Sequence, residues 1–159
     1  MAVDYALLEQ QVRTLLGEER DFIANAANFA ALLYHELPDV NWCGFYLARS
    51  IDDDLLLGPF CGRPACVRLA AGRGVCGAAV ARGATVVVDD VGAFAGHIAC
   101  DTASRSEIVV PLTIDGAFAG VFDCDSPTPA RFSDDDRRGI EQLVRAFSES
   151  VHPPATSAR

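Results

Sequence analysis

The sequence predicts an α+β domain: a mostly antiparallel sheet of about six strands with helices packed on it. Three observations carry this. Apolar residues recur at helical spacing in the first 37 residues and again after Ser133. Between these helices lie short runs rich in β-branched and aromatic residues, such as Ala84 to Val88. Neighbouring runs are joined by hairpin signals, the strongest being Asp115-Gly116. Sequential hairpins pair antiparallel, so sheet and helices segregate. The 159 residues read as one unit, with a core over about 20–150 and a flexible tail over 151–159.

In order, Asp4 to Gly17 is expected to be a helix, with Ala6, Leu7, Val12, Leu15 and Leu16 as its apolar positions and Gly17 as its stop. A second helix runs from Asp21 to Leu37, burying Phe22, Ile23, Ala26, Phe29, Leu32 and Leu33, and Pro38 ends it. Asn41 to Arg49 alternates as a strand: Trp42, Gly44 and Tyr46 face one side, Cys43, Phe45 and Leu47 the other. The acidic turn at Ile51 to Asp54 leads to a partner strand, Leu55 to Phe60. Val67 to Leu69 is a short strand. Gly72 to Gly74 is a tight turn feeding a short helix, Val75 to Arg82. No Lys or Thr follows these glycines in the register of a phosphate-binding loop. After the strand Ala84 to Val88, residues Asp89 to Ser106 show no period, and a loop of that length is usually functional. Glu107 to Ile114 and Ala117 to Asp125 form the last hairpin. Ser133 caps a final helix reaching about Ser150, with Asp134, Asp135 and Asp136 in its first turn. The tail after His152 holds Pro153 and Pro154 and is expected to fray.

Composition excludes several classes. Half the residues are hydrophobic and 22% are charged, which argues against disorder. A formal net charge of -9 repels phosphate backbones and anionic membranes, so nucleic acid and membrane partners are not expected. It favours a small cationic group such as an amino-acid ammonium. No signal peptide and no membrane-length apolar run is read. A cytoplasmic location is therefore expected, where thiols stay reduced.

Six cysteines then need another account than a secreted disulfide framework. Cys43 and Cys124 sit on apolar strand faces and suit plain core packing. Cys100 does not. It lies in the polar loop Gly96-His97-Ile98-Ala99-Cys100-Asp101, with Arg105 nearby, where a thiol can be exposed and partly ionised. Cys61, Cys66, Cys76 and Cys100 crowd one stretch, which suggests a nucleophile with a resolving partner. A zinc set of Cys66, Cys76, His97 and Cys100 matches no common spacing. On the last strand Asp123 and Asp125 share a face, and Glu107 enters the neighbouring strand; they are either a solvated strand end or a recessed anionic patch. Trp42 and Tyr46 are either core or the wall of a pocket.

Seven segments together resemble the free methionine-(R)-sulfoxide reductases, stand-alone GAF-domain enzymes. They are 41–47, 57–60, 65–68, 72–77, 96–101, 106–112 and 122–126, within a resemblance spanning about residues 20 to 148. It implies a GAF-like fold, with the N- and C-terminal helices on one face of the sheet and the long active-site loop on the other. It also implies Cys100 as the catalytic cysteine, Cys66 as the resolving one and Cys76 as a third exchanging thiol. Glu107, Asp123 and Asp125 become the carboxylates around the substrate, with Glu107 and Asp125 as candidate proton donors. Trp42 and Tyr46 become the aromatic wall, and the loop backbone at Ile98 and Ala99 receives the substrate carboxylate.

The chemistry agrees. A sulfoxide is attacked by a thiolate once a carboxyl protonates its oxygen. The sulfenic acid formed on Cys100 condenses with Cys66, and an external dithiol, thioredoxin supplied by NADPH, restores the thiols. No bound cofactor and no metal are expected, and a homodimer is. Cys43, Cys61 and Cys124 depart from the family pattern; Cys61 is expected to form a side disulfide with Cys66 or Cys76. The reading from another class is a GAF module that binds a small ligand or senses redox state without catalysis, since one fold hosts both.

Overall fold

The structure, a computed structural model, describes residues 2–98, 100 and 102–154. Ala99, Asp101 and the expected tail beyond residue 154 lie outside the described residues. Four helices, α1 (Tyr5–Leu16), α2 (Phe22–Glu36), α3 (Gly74–Arg82) and α4 (Asp134–Ser148), surround one sheet. Its strands are β1 (Trp42–Leu47), β2 (Leu55–Gly62), β3 (Arg68–Leu69), β4 (Val86–Val88), β5 (Ser106–Ile114) and β6 (Ala117–Ser126). All pairs are antiparallel, in the spatial order β3-β2-β1-β6-β5-β4. This is the α+β architecture expected.

The strand alternation holds. Cys43, Phe45, Phe122 and Cys124 point into a core beneath α1, α2 and α4. Trp42, Tyr46, Val109 and Val121 point into a second cluster on the opposite face, beneath α3 and the loop after β4. The helix-side core centres on Phe22, Phe29, Phe45, Phe122 and Phe147, whose rings meet edge-on or tilted at centroid distances of 4.7 to 5.9 Å. Such pairs add about 0.5–1.5 kcal/mol each beyond the area they bury.

Local chemistry starts and stops the elements as expected. Asp4 and Asp21 cap α1 and α2 by accepting from Leu7 N and Ala24 N. Ser133 and Asp136 form a reciprocal capping box at α4. Asp136 also takes the Tyr5 hydroxyl at 2.6 Å and Arg131 at 2.9 Å. Gly139 lets α1 lie directly on α4, because a Cβ there would fall 2.1 Å from the Tyr5 ring. The β5–β6 hairpin turns through Asp115 (φ 51) and Gly116 (φ 77), the left-handed pair that a two-residue turn demands.

Two helix faces differ from expectation. The buried residues of α1 are Leu8, Val12 and Leu16, while Leu7 and Leu15 are 52% and 45% exposed. In α2, Ile23 is 59% exposed. Adjacent apolar pairs such as Leu7-Leu8 and Leu15-Leu16 fit two helical stripes, and packing on α4 selects one. At the other end Val151 packs into the core and His152 N donates to Arg20 O at 3.0 Å.

Candidate active site

The pocket face is built in rows across the sheet. Strand register sets Val88, Glu107, Asp125 and Trp42 side by side on β4, β5, β6 and β1. Two residues along, Val109, Asp123 and Gly44 form the next row. Directly opposed side chains share a face about 4.5–5.5 Å apart. Three carboxyl groups and an aromatic wall therefore meet because β5, β6 and β1 are neighbours, although Trp42 and Asp125 are far apart in sequence.

The aromatic wall is tightly tied. Trp42 stacks between Tyr46 and Phe60 at centroid distances of 5.8 and 5.4 Å. Its Nε1 donates to Arg63 O at 3.1 Å, and the Tyr46 hydroxyl donates to Cys66 O at 2.9 Å. These bonds hold the 63–66 segment over the cleft. Across from it, the loop between β4 and β5 is closed at its base by Val91 N donating to Arg105 O at 2.9 Å. Asp90 caps a 3-10 turn, Val91–Ala93, within that loop.

The loop brings Cys100 to Cys66, and the two form a disulfide with Cα atoms 5.4 Å apart across 34 residues of sequence. Both residues are half-buried, and Cys100 lies on the wall of a cleft that opens to solvent. Trp42, Tyr46, Cys76, Glu107, Asp123 and Asp125 line it, with Ile98 on the loop side. Ile98 packs against Gly74 at the start of α3. Cys100 and His97 line the cleft too, and Cys66 is tied to it through its bond to Cys100, whereas Ala99 lies outside the described residues.

Electrostatically the floor is unusual. Glu107 and Asp123 are each only 6% exposed. Burial, and then the charge of Asp125, pushes the Glu107 carboxyl well above its ordinary range. Burial, and then Glu107, does the same to Asp123. The two are hydrogen-bonded, so the pair holds a proton where free carboxyls have lost theirs. The solvated strand end is thereby excluded for these two. Asp123 Oδ1 is buried without a hydrogen-bond partner among the described residues. Cys76 is buried against Asp123, and burial followed by the charge of Asp123 raises its thiol well above its usual range. It sits there as a neutral thiol. Burial also lowers His97, so its contact with Glu107 at 3.8 Å is not an ion pair at neutral pH.

Cys66 and Cys100, two of the four residues of the zinc set that spacing disfavoured, are bonded to each other. Among the described residues Cys76, Glu107 and Asp123 could present ligand atoms within 4.8 Å of one another. Cys61 meets neither Cys66 nor Cys76. Register sets it opposite Cys43, on the helix side of the sheet.

Sequence reasoning missed Arg73, Val75 and Ser104, which also line the cleft. Arg73 precedes α3, whose first turn has no side-chain cap, so a positive group and the positive helix end both face the pocket. The Gly72-Arg73-Gly74 turn was read as a bend alone; the uncapped helix after it was the available signal. Arg105, expected near Cys100 in function, is exposed and not among the lining residues.

Known proteins share this arrangement. Residues 12–151 match the GAF domain family. A free methionine-R-sulfoxide reductase of Escherichia coli is 52% identical over 88% of this chain and 84% of its own. The structure of a Neisseria meningitidis free methionine-R-sulfoxide reductase in complex with its substrate superposes with a TM-score of 0.86 at 44% identity, covering 92% of this chain and 87% of that one. The reduced fRMsr of Staphylococcus aureus gives 0.88 at 45% identity, with 94% and 96% covered. With its fold, its cleft and relatives of this identity over nearly its whole length, the chain belongs to the GAF-domain free methionine-R-sulfoxide reductases.

Proposed function

We propose that the protein reduces free methionine-(R)-sulfoxide to methionine, with Cys100 as nucleophile and Cys66 as resolving thiol. The observation that carries this reading is the Cys66–Cys100 disulfide on the wall of a cleft floored by buried, proton-holding carboxyls. A disulfide is the product state of such a cycle. The Cys100 thiolate attacks the sulfoxide sulfur while the Glu107–Asp123 pair protonates the departing oxygen. The protonated oxygen passes to the Cys100 sulfur as the S–O and S–S bonds to the substrate sulfur break, so methionine leaves and Cys100 becomes a sulfenic acid. Cys66 then attacks that sulfur and expels water, closing the disulfide.

Each remaining group has a place. Trp42 and Tyr46 pack against the methyl and methylene groups of the substrate. Asp125 and the unpartnered Asp123 Oδ1 accept its ammonium. The loop backbone at Ile98, with Arg73 and the start of α3, receives its carboxylate. A peptide-bound residue lacks both termini and would strand buried charge. Cys76, held as a neutral thiol on Asp123, is a second partner for disulfide exchange. Electrons enter through thiols, so no step requires a bound cofactor. The half-buried Cys66–Cys100 bond is reachable by thioredoxin, itself reduced at the cost of NADPH, which suits the reducing cytoplasm. No described helix is long and apolar enough to cross a membrane. The exposed Leu7, Leu15 and Ile23 supply an apolar surface for a homodimer.

The test is NADPH oxidation coupled through thioredoxin reductase and thioredoxin. Separated R and S epimers of free methionine sulfoxide, and a peptide carrying the R form, serve as substrates. Turnover with the free R epimer alone is expected. Tight binding of some other small molecule with no turnover by the reduced protein would instead favour a ligand-sensing GAF module.

A further inference from the structure

Three of the six cysteines play no part in that cleft. Strand register lines them up across the opposite face of the sheet: Cys61 on β2 stands directly opposite Cys43 on β1, and Cys43 stands directly opposite Cys124 on β6. We propose that Cys61 and Cys43 form a second dithiol site, separate from the catalytic one, which exchanges with low-molecular-weight disulfides to close a cross-strand disulfide.

Geometry supports the pairing. Directly opposed residues of an antiparallel pair have Cα atoms about 4.5 or 5.5 Å apart, according to which ladder position they occupy. Both distances lie inside the roughly 4.4–6.8 Å window of disulfides. The pair lies ahead of the register shift between Gly44 and Tyr46, so regular pairing holds at this row. Cys43 is fully buried, and its Sγ donates to Ala30 O of α2 at 3.1 Å, which fixes the thiol on the helix side. Access differs along the row. Cys43 and Cys124 are sealed under the helices. Cys61 is half-exposed, because β3 pairs with β2 at Leu55 and Leu56 and leaves the strand before Cys61. An external disulfide therefore meets Cys61 first.

The chemistry balances. The Cys61 thiolate attacks one sulfur of an external disulfide R–S–S–R, forms Cys61–S–S–R and releases one thiolate. Cys43 loses its proton and attacks the Cys61 sulfur, forming Cys43–S–S–Cys61 and releasing the second thiolate. The two protein thiols are oxidised and one external disulfide is reduced to two thiols. A dithiol reverses both steps. The new bond ties together the two strands whose other faces carry Trp42, Tyr46 and Phe60.

The experiment treats the fully reduced chain with glutathione disulfide, quenches by alkylation, and maps the non-reduced peptides by mass spectrometry. In the wild type a Cys43–Cys61 link is expected with no glutathione kept on Cys61. In Cys43→Ser, whose hydroxyl can still donate to Ala30 O, glutathione is expected to remain trapped on Cys61. In Cys61→Ser, a change at a half-exposed strand position, Cys43 should stay a thiol that alkylates only after denaturation. Retention of glutathione on wild-type Cys61, no reaction there, or a link from Cys61 to Cys66 or Cys76 would overturn the proposal. Sulfoxide turnover in Cys61→Ser is expected within about twofold of wild type. A larger loss would overturn the separation of this site from the catalytic one, whatever the substrate proves to be.

Discussion

The two faces of the sheet are both buried, yet they are filled by opposite rules. On β6, Phe122 and Cys124 enter a core of aromatic rings beneath the helices, and every group there gains from leaving water. Their neighbours Asp123 and Asp125 turn to the other face, where Asp123 is buried beside Glu107 and one of its oxygens has no hydrogen-bond partner among the described residues. One strand thus supplies stability from its even-numbered positions and chemistry from its odd-numbered ones. The helix face is locally consistent; the pocket face stores a conflict between burial and charge that, on the proposed mechanism, a substrate ammonium and a migrating proton relieve.

Substitutions on the two faces should therefore separate function from folding. The largest effect is expected from Cys100→Ser, which removes the nucleophile. Turnover should fall to background, at least about 10³-fold, while the denaturation midpoint of the reduced protein stays within a degree or two. Parallel losses of activity and midpoint would show that the loop holds the fold together. Glu107→Gln comes next. An amide can donate a hydrogen bond but not a proton, so kcat should fall about 10²–10⁴-fold with no loss of midpoint. The wild-type rate should also decline as pH rises through the raised value at which this carboxyl ionises. That limb of the pH profile should vanish in Glu107→Gln, and its persistence would move the proton donor elsewhere.

On the helix face the expectation reverses. Phe29 touches Phe45, Phe122 and Phe147 and has no exposed surface. Phe29→Ala should cost about 3–5 kcal/mol in urea unfolding. Turnover per folded molecule should stay near wild type in the cold. A cost below about 1 kcal/mol would mean that the rings are loosely packed.

The same contrast explains what could be read from sequence. Period-two alternation on β1 and β6 gives both faces correctly, because a strand offers only two, and Asp115-Gly116 marks its hairpin through left-handed backbone angles. The α1 stripe was harder, since Leu7-Leu8 and Leu15-Leu16 satisfy two helical faces. In the site, the shared face of Asp123 and Asp125 was legible, but the burial of Asp123 was not, because it depends on α3 and the loop closing over it. The union of Cys66 with Cys100 follows no spacing rule; only the family resemblance anticipated it. For Cys61, proximity in sequence points to Cys66 or Cys76, whereas the hairpin register sets it opposite Cys43.

The smallest expected effect is also the sharpest test of the contrast, because its sign is unusual. In the unfolded chain Asp123 loses its proton near its ordinary value of 3.8, whereas in the fold burial and Glu107 raise it well above that. Between those two values the folded state holds a proton that the unfolded state has released, so wild-type stability must fall as pH rises through the interval. The loss amounts to about 1.4 kcal/mol for each unit by which the fold raises the coupled pair. Asp123→Asn has no proton to lose and relieves Glu107 of a charged neighbour, so its stability should be flatter with pH. Urea unfolding at pH 8 should show the variant more stable than wild type, and the advantage should shrink toward zero as the pH approaches 3.8. Its turnover should drop, because half of the proton-holding pair is gone. A variant less stable than wild type at every pH would mean that Asp123 is held by favourable hydrogen bonds, and that the pocket face obeys the same rule as the helix face.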